Sequence, residues 1–139
     1  MRRPPTLVVA ITAALLAGAA TSAVAAERAT FLGDGVWARK GDCARLARLA
    51  AGGPRNIRTT PEQLTAGGYS SWEGSCEFLS IRERTPGKAW IAELSCIEGP
   101  EEGKETNLFE KVDARTFKVT VNGEAGLYFR CDLPKSAKK

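Results

Sequence analysis

The sequence predicts a mainly β (α+β) domain: a bent antiparallel sheet or small open barrel of about five strands, with one short N-terminal helix packed on it and two disulfides. Three observations predict it. Apolar and polar residues alternate through the second half of the chain, turn-forming residues separate those runs, and four cysteines occur in a chain of 139 residues.

The first element is not part of the domain. Arg2 and Arg3 precede an apolar run over 7–20, and small residues ending in Ala-x-Ala at 23–25 follow, which reads as a secretory signal peptide over 1–26 cleaved near Ala25 or Ala26. The run is 14 residues long, shorter than the roughly 20 a membrane-spanning helix needs, so no stable membrane insertion is expected after cleavage. A single disulfide-braced domain over 27–133 is expected to follow, then a basic tail over 134–139.

Charge divides along the chain. Residues 27–58 hold seven basic and three acidic side chains, whereas 59–133 hold eight basic and thirteen acidic. The expected arrangement is a basic front packed over an acidic sheet. An exported address and the absence of a gathered basic face with aromatic platforms argue against a nucleic-acid partner.

Asp42 stands as an N-cap before CARLARLAA, and Gly52-Gly53-Pro54 stops the segment, which predicts a short helix docking by Cys43, Leu46, Ala47 and Ala50. Thr60-Pro61-Glu62-Gln63 resembles a capping box and predicts one helical turn ended by Gly67-Gly68. Residues 75–83 and 89–97 flank Thr85-Pro86-Gly87-Lys88 as a hairpin, with Trp90, Ala92, Leu94 and Cys96 on the core face. EGPEEGKE at 98–105 reads as an acidic, solvated loop. Strands at 108–112, 117–121 and 126–131 complete the series around turns at 113–115 and 122–125, with Leu127, Phe129 and Cys131 inward and an edge strand near Val36-Trp37.

An even cysteine count in a small exported domain reads as a disulfide framework. Successive gaps of 33, 20 and 35 residues, with no histidine, give neither metal-ligand nor thioredoxin-type spacing, so no metal and no cofactor is implied. Cys76 and Cys96 lie symmetrically about Pro86-Gly87, where a hairpin would place them opposite one another. The favoured pairing is nevertheless Cys43 with Cys76 and Cys96 with Cys131, on the argument that bridging strands already paired adds little constraint.

No catalytic residues are assigned. Without histidine, serine–histidine and cysteine–histidine chemistries have no base, and the remaining enzymatic alternative is a small glycan-acting site using Glu73 and Glu77. The candidate binding surface is Tyr69, Trp72 and Glu73, in the stretch GGYSSWEGSCEF.

Gly35-x-Trp37, followed by Cys43, resembles the start of lipocalins and of the small periplasmic metalloprotease inhibitors built on a related barrel. The chain departs from those inhibitors in its four cysteines and in the absence of an inhibitory arm in ERATFLGDG. GVW at 35–37, Cys43, TPEQL at 60–64, WEGSCEF at 72–78, AWIAELSC at 89–96 and YFRC at 128–131 together resemble small exported cysteine-containing proteins of unknown function from Gram-negative bacteria. That resemblance implies a periplasmic or secreted domain with no assigned activity. The functional expectation is a non-catalytic binding or envelope-associated protein whose partner is an envelope or extracellular protein or glycan. The alternative is a protease- or lysozyme-inhibitor-like module. Trp37 is expected to plug the core beneath the helix.

Overall fold

The computed structural model describes residues 27–53 and 60–134, so the signal segment and all but the first residue of the basic tail lie outside the described residues. Eight strands run in order: β1 (Val36–Ala38), β2 (Gln63–Thr65), β3 (Gly68–Ser70), β4 (Gly74–Thr85), β5 (Ala89–Glu98), β6 (Glu101–Asp113), β7 (Thr116–Val121) and β8 (Glu124–Cys131). Each pairs antiparallel with the next, and β8 returns to β1, closing a barrel. A helix, α1 (Asp42–Ala50), stands between β1 and β2. Among the described residues no helix is long and apolar enough to cross a membrane.

The expectation of about five strands in an open sheet is corrected to eight in a closed one. The additional strands, β1 to β3, have three residues each, too few to show a period of two. Val36 to Ala38 is also not an edge, because it pairs with β2 on one side and β8 on the other. The helical turn expected at Thr60-Pro61-Glu62-Gln63 is absent: Gln63 begins β2, and the hairpin to β3 turns through Ala66 and Gly67. Gly68 leads back at φ 136°, where an added Cβ would lie 1.8 Å from the Cys76 carbonyl oxygen, so the close approach of β3 to β4 needs glycine. The acidic loop is corrected as well. Only Gly99 and Pro100 turn there, and Glu101 onward continues as β6, paired along β5 from Glu98↔Glu101 to Ala89↔Glu110.

The hairpin of β4 and β5 forms in the register that sets Cys76 opposite Cys96. A bulge between Phe78 and Ser80 reverses the alternation of β4, so Cys76 and Phe78 face inward before it and Ile81 after it. β7 and β8 meet at Asn122-Gly123, both at positive φ (51° and 82°), the conformation a two-residue hairpin requires.

One end of the barrel is filled. Phe78, Phe109, Phe117, Leu64, Leu94 and Val119 pack inside it, and the 3-10 turn Thr30–Leu32 covers the end where β4 and β5 join. Phe31 stacks on Trp90 with centroids 4.4 Å apart and meets Phe109 and Phe117 edge-on at 5.3 and 5.7 Å. Trp37 donates its indole N–H to the Leu32 carbonyl at 3.0 Å, fastening that turn to β1. Backbone bonds from Glu27 to Phe78 and from Ala29 to Ala66 hold the segment before it across the rim.

The helix lies on the outside. Leu46 packs with Ala38 and Cys131 on the outer wall, beside Val36, Cys43 and Leu133, whereas Trp37 points into the barrel. Trp37 is therefore an interior plug on the opposite face of β1 from α1, not one beneath the helix. Asp42 is the first helical residue and not the N-cap; Gly41, in a left-handed conformation, holds that place. Ala50, expected on the docking face, is exposed.

The phase of β8 is also corrected. Tyr128 faces inward opposite Phe117, while Leu127, Phe129 and Cys131 lie on the outer wall. Leu127, Phe129 and Cys131 make the more apolar row, so alternation selects it; that row is apolar on the outer wall because α1 packs over it at Cys131. The favoured cysteine pairing is replaced by Cys43–Cys131, which ties α1 to β8, and Cys76–Cys96, which spans β4 and β5. Pairing follows proximity in the fold: Cys76 and Cys96 are direct cross-strand neighbours, and Cys43 and Cys131 share the contact between α1 and the outer wall.

Candidate functional site

Opposite the plugged end, the barrel opens onto a cavity of about 440 Å³. Its walls come from the end of β1, the start of β2, the β3–β4 connection, the β5–β6 rim and the β7–β8 hairpin. That volume falls in the range typical of small-ligand pockets. The closed, alternating wall creates it: inward positions fill the far end with aromatic rings, while toward the mouth they pass to Tyr69, Tyr128, Glu105 and small residues such as Gly126.

Two tyrosines form the centre of the mouth. Their rings meet edge to face, 6.0 Å between centroids. Tyr128 donates its hydroxyl to Glu62 Oε1 at 2.6 Å, and Asn107 Nδ2 donates to the Tyr69 hydroxyl at 3.1 Å. Arg39, just beyond β1, lays its guanidinium over the Tyr128 ring at 5.4 Å. Gly126 leaves room for it, since a Cβ there would stand 3.4 Å from Arg39 Nη1.

These contacts fix protonation. Burial pushes the Tyr69 hydroxyl well above the ordinary tyrosine value, reinforced by the neighbouring Tyr128. Burial also raises Tyr128, and its bond to Glu62 adds to the shift. Arg39 is raised by its polar contact with the Tyr128 hydroxyl. Both tyrosines are therefore neutral hydrogen-bonding groups at physiological pH, not bases or nucleophiles.

The rim is acidic. Among the described residues, Glu62, Glu73, Glu98, Glu105 and Glu124 line the cavity, with Arg39 as the single basic one. The Cys76–Cys96 bridge forms part of the wall, and its sulfurs lie within 4.8 Å of a Glu105 oxygen. Joined in a disulfide, those sulfurs offer no thiolate to a metal.

Of the expected binding residues, Tyr69 lines the cavity as a buried side chain, Glu73 lines it on the rim, and Trp72 stands beside Glu73, 51% exposed. Glu77 points away on the outer wall, since Cys76 before it and Phe78 after it face inward. The structure thus does not bring Glu73 and Glu77 together as an acid–base pair. The residues not anticipated are Arg39, Glu62, Glu105, Asn107 and Tyr128. Glu62 and Glu105 fall in stretches read as a helical turn and a loop, and Tyr128 was hidden by the reversed phase of β8. Placing the Asn122-Gly123 turn opposite Val121 and Glu124 would have put Tyr128 beside Phe117.

Comparisons of the chain with protein-family models, with curated proteins and with solved structures find no match.

Proposed function

We propose that this chain is an exported, non-catalytic binding module that receives its ligand through the open end of the barrel. The observation that carries the reading is the asymmetry of the barrel, plugged by Phe31 and Trp90 at one end and open at the other onto a cavity with hydrogen-bonded polar groups. Such a wall holds a ligand without rearranging its own core. Two disulfides and no free cysteine among the described residues suit the oxidising periplasm or extracellular medium to which the leading basic and apolar segment points.

The test is a two-dimensional amide NMR titration of the protein recovered from its exported fraction. Small cations, anions, saccharides and short peptides serve as separate probe classes. Shifts clustering at Tyr69, Glu105 and Tyr128 support the reading, and shifts confined to the outer wall or to none of the residues reject it. Turnover of a glycan substrate, lost on Glu73→Gln, would reject its non-catalytic part.

An inhibitor-like reading, in which the ligand is a surface of an extracellular protease or lysozyme, draws on Trp72 and Ile97. Both are 51% exposed and border the mouth. Of the two, Trp72 belongs to the aromatic residue types that are enriched at protein contacts.

A further inference from the structure

Resting on the open end as the binding site, we infer that its ligand presents a cationic group with several N–H donors, an alkylammonium or a guanidinium. Three independent features of the mouth select that chemistry.

The first is charge. Among the described residues five carboxylates line the cavity against one guanidinium, and Arg39 is already engaged over Tyr128. Among the described residues no basic side chain forms an ion pair with Glu73, Glu98, Glu105 or Glu124; the ion pairs of the barrel lie at Glu93, Glu110 and Asp132. A concave wall with one sign of charge and a low-dielectric lining concentrates the opposite sign.

The second is an acceptor without a donor. Asn107 is fully buried, faces the barrel interior one inward position below Glu105, and pairs opposite the cavity-lining Val121. Its Nδ2 is taken by Tyr69, and its Oδ1 has no hydrogen-bond partner. A buried carbonyl oxygen left in this state is costly, and Asn107 lies next to the cavity lining through its bond to Tyr69, so a ligand N–H reaches it where Tyr69 gives way. The carboxylates above Asn107 line the wall, so the mouth presents acceptors, as a multi-donor cation requires.

The third is the tyrosine pair. Tyrosine faces attract cations, and Arg39 over Tyr128 shows the wall accommodating a guanidinium against a ring, with a carboxylate at the hydroxyl. An anionic ligand would instead meet four unpaired carboxylates. A wholly apolar one would strip water from them without compensation.

The same chemistry arises from a free amine or from a lysine or arginine side chain of a polypeptide, and the experiment separates them. Calorimetric titrations at low and at physiological salt use agmatine and spermidine as free cations. A blocked Gly-Gly-Arg-Gly-Gly peptide supplies the polypeptide form, and its citrulline counterpart is the uncharged control. The expected result is saturable, salt-weakened binding of at least one cation and none of the citrulline peptide. Glu98→Gln and Glu105→Gln should each weaken it about fivefold at unchanged thermal stability. Glu77→Gln, on the outer wall, should leave it unaltered. Binding of agmatine or spermidine but not the peptide identifies a free amine, and tighter binding of the peptide identifies a basic side chain. Equal binding of the citrulline peptide, or indifference to Glu98→Gln and Glu105→Gln, overturns the inference. If cations fail while an anion or saccharide shifts the mouth in the NMR titration, the cationic assignment falls and the binding site stands; if no probe class shifts the mouth, both fall.

Discussion

Tyr69 and Tyr128 sit in the same mouth, yet their hydroxyls do unequal work. Tyr69 is the partner of the buried Asn107 amide, so Tyr69→Phe leaves both polar ends of that side chain without a bond. Tyr128→Phe frees Glu62 and the polar contact of Arg39, both of which reach water. Urea denaturation should show a loss of about 2 kcal/mol for Tyr69→Phe against about 1 kcal/mol for Tyr128→Phe. Equal losses would mean that Asn107 finds another donor or acceptor. The same residues give a spectroscopic signature, because the chain contains just two tyrosines. Each has its folded pKa raised above the ordinary value of 10.0, so folding favours the protonated form. Their contribution to stability is complete below pH 10 and declines as pH rises above it toward the raised values. Tyrosinate absorbance near 295 nm should therefore stay flat through pH 10 in the native protein and appear together with unfolding at higher pH. A stepwise rise centred at pH 10 on folded protein would show at least one hydroxyl open to solvent.

At the scale of elements, the short strands carry the closure of the barrel and are also the most sensitive to a single atom. Gly68→Ala places a Cβ against the Cys76 carbonyl, 1.8 Å away at a positive φ, and neither backbone can yield without breaking β3 from β4. The expected loss is about 3 kcal/mol or more by chemical denaturation. Gly87→Ala, also at positive φ but with nothing within 4 Å, should cost only about 1 kcal/mol. A cost for Gly68→Ala as small as that of Gly87→Ala would show that β3 is not held at the distance described. The long strands β4, β5 and β7 were legible because Trp90, Ala92, Leu94 and Cys96, or Phe117 and Val119, alternate over enough residues to show a period of two. β2 was not: Pro61 and Glu62 imitate a helix start, and tertiary pairing with Trp37 and Tyr69 overrides that local signal. The start of β6 was not legible either, since Glu101, Glu102, Lys104 and Glu105 are charged throughout. That stretch is a strand because β5 offers an unpaired edge there, not because its own residues prefer one. The candidate site inherits this division. Tyr69 and Glu73 stood out by residue type, whereas Glu62 and Glu105 depend on β2 and β6 being strands.

The whole molecule is held by two covalent closures of different reach. The pairing expected from sequence weighed how much constraint each bridge adds to the folded chain, but a disulfide acts mainly on the unfolded ensemble, where strands that pair in the native state are not yet neighbours. The Cys76–Cys96 bridge, 20 residues apart, therefore restricts the unfolded chain although β4 and β5 already pair. The Cys43–Cys131 bridge spans 88 residues and encloses strands β2 to β8, leaving only β1 of the barrel outside the loop. Loop-closure entropy assigns about 3 kcal/mol to the shorter loop and about 4.5 kcal/mol to the longer. Their functional consequences should run the other way. Cys43 and Cys131 meet on the outer wall beneath α1, remote from the cavity, whereas Cys76 and Cys96 are part of the mouth. Replacing Cys43 and Cys131 together by alanine should thus destabilise the protein more, by about 1 to 2 kcal/mol in urea midpoint analysis, while leaving ligand-induced NMR shifts at Tyr69 and Glu105 in place. Replacing Cys76 and Cys96 together should cost less stability and yet disturb those shifts, because β4 and β5 lose the tie that fixes the wall beside Glu105. Non-reducing peptide mapping comes first, since it must return Cys43 linked to Cys131 and Cys76 linked to Cys96. If the 76–96 replacement proves the more destabilising, the closure that matters most is the wall of the mouth itself, and the division between an outer brace and a binding wall fails.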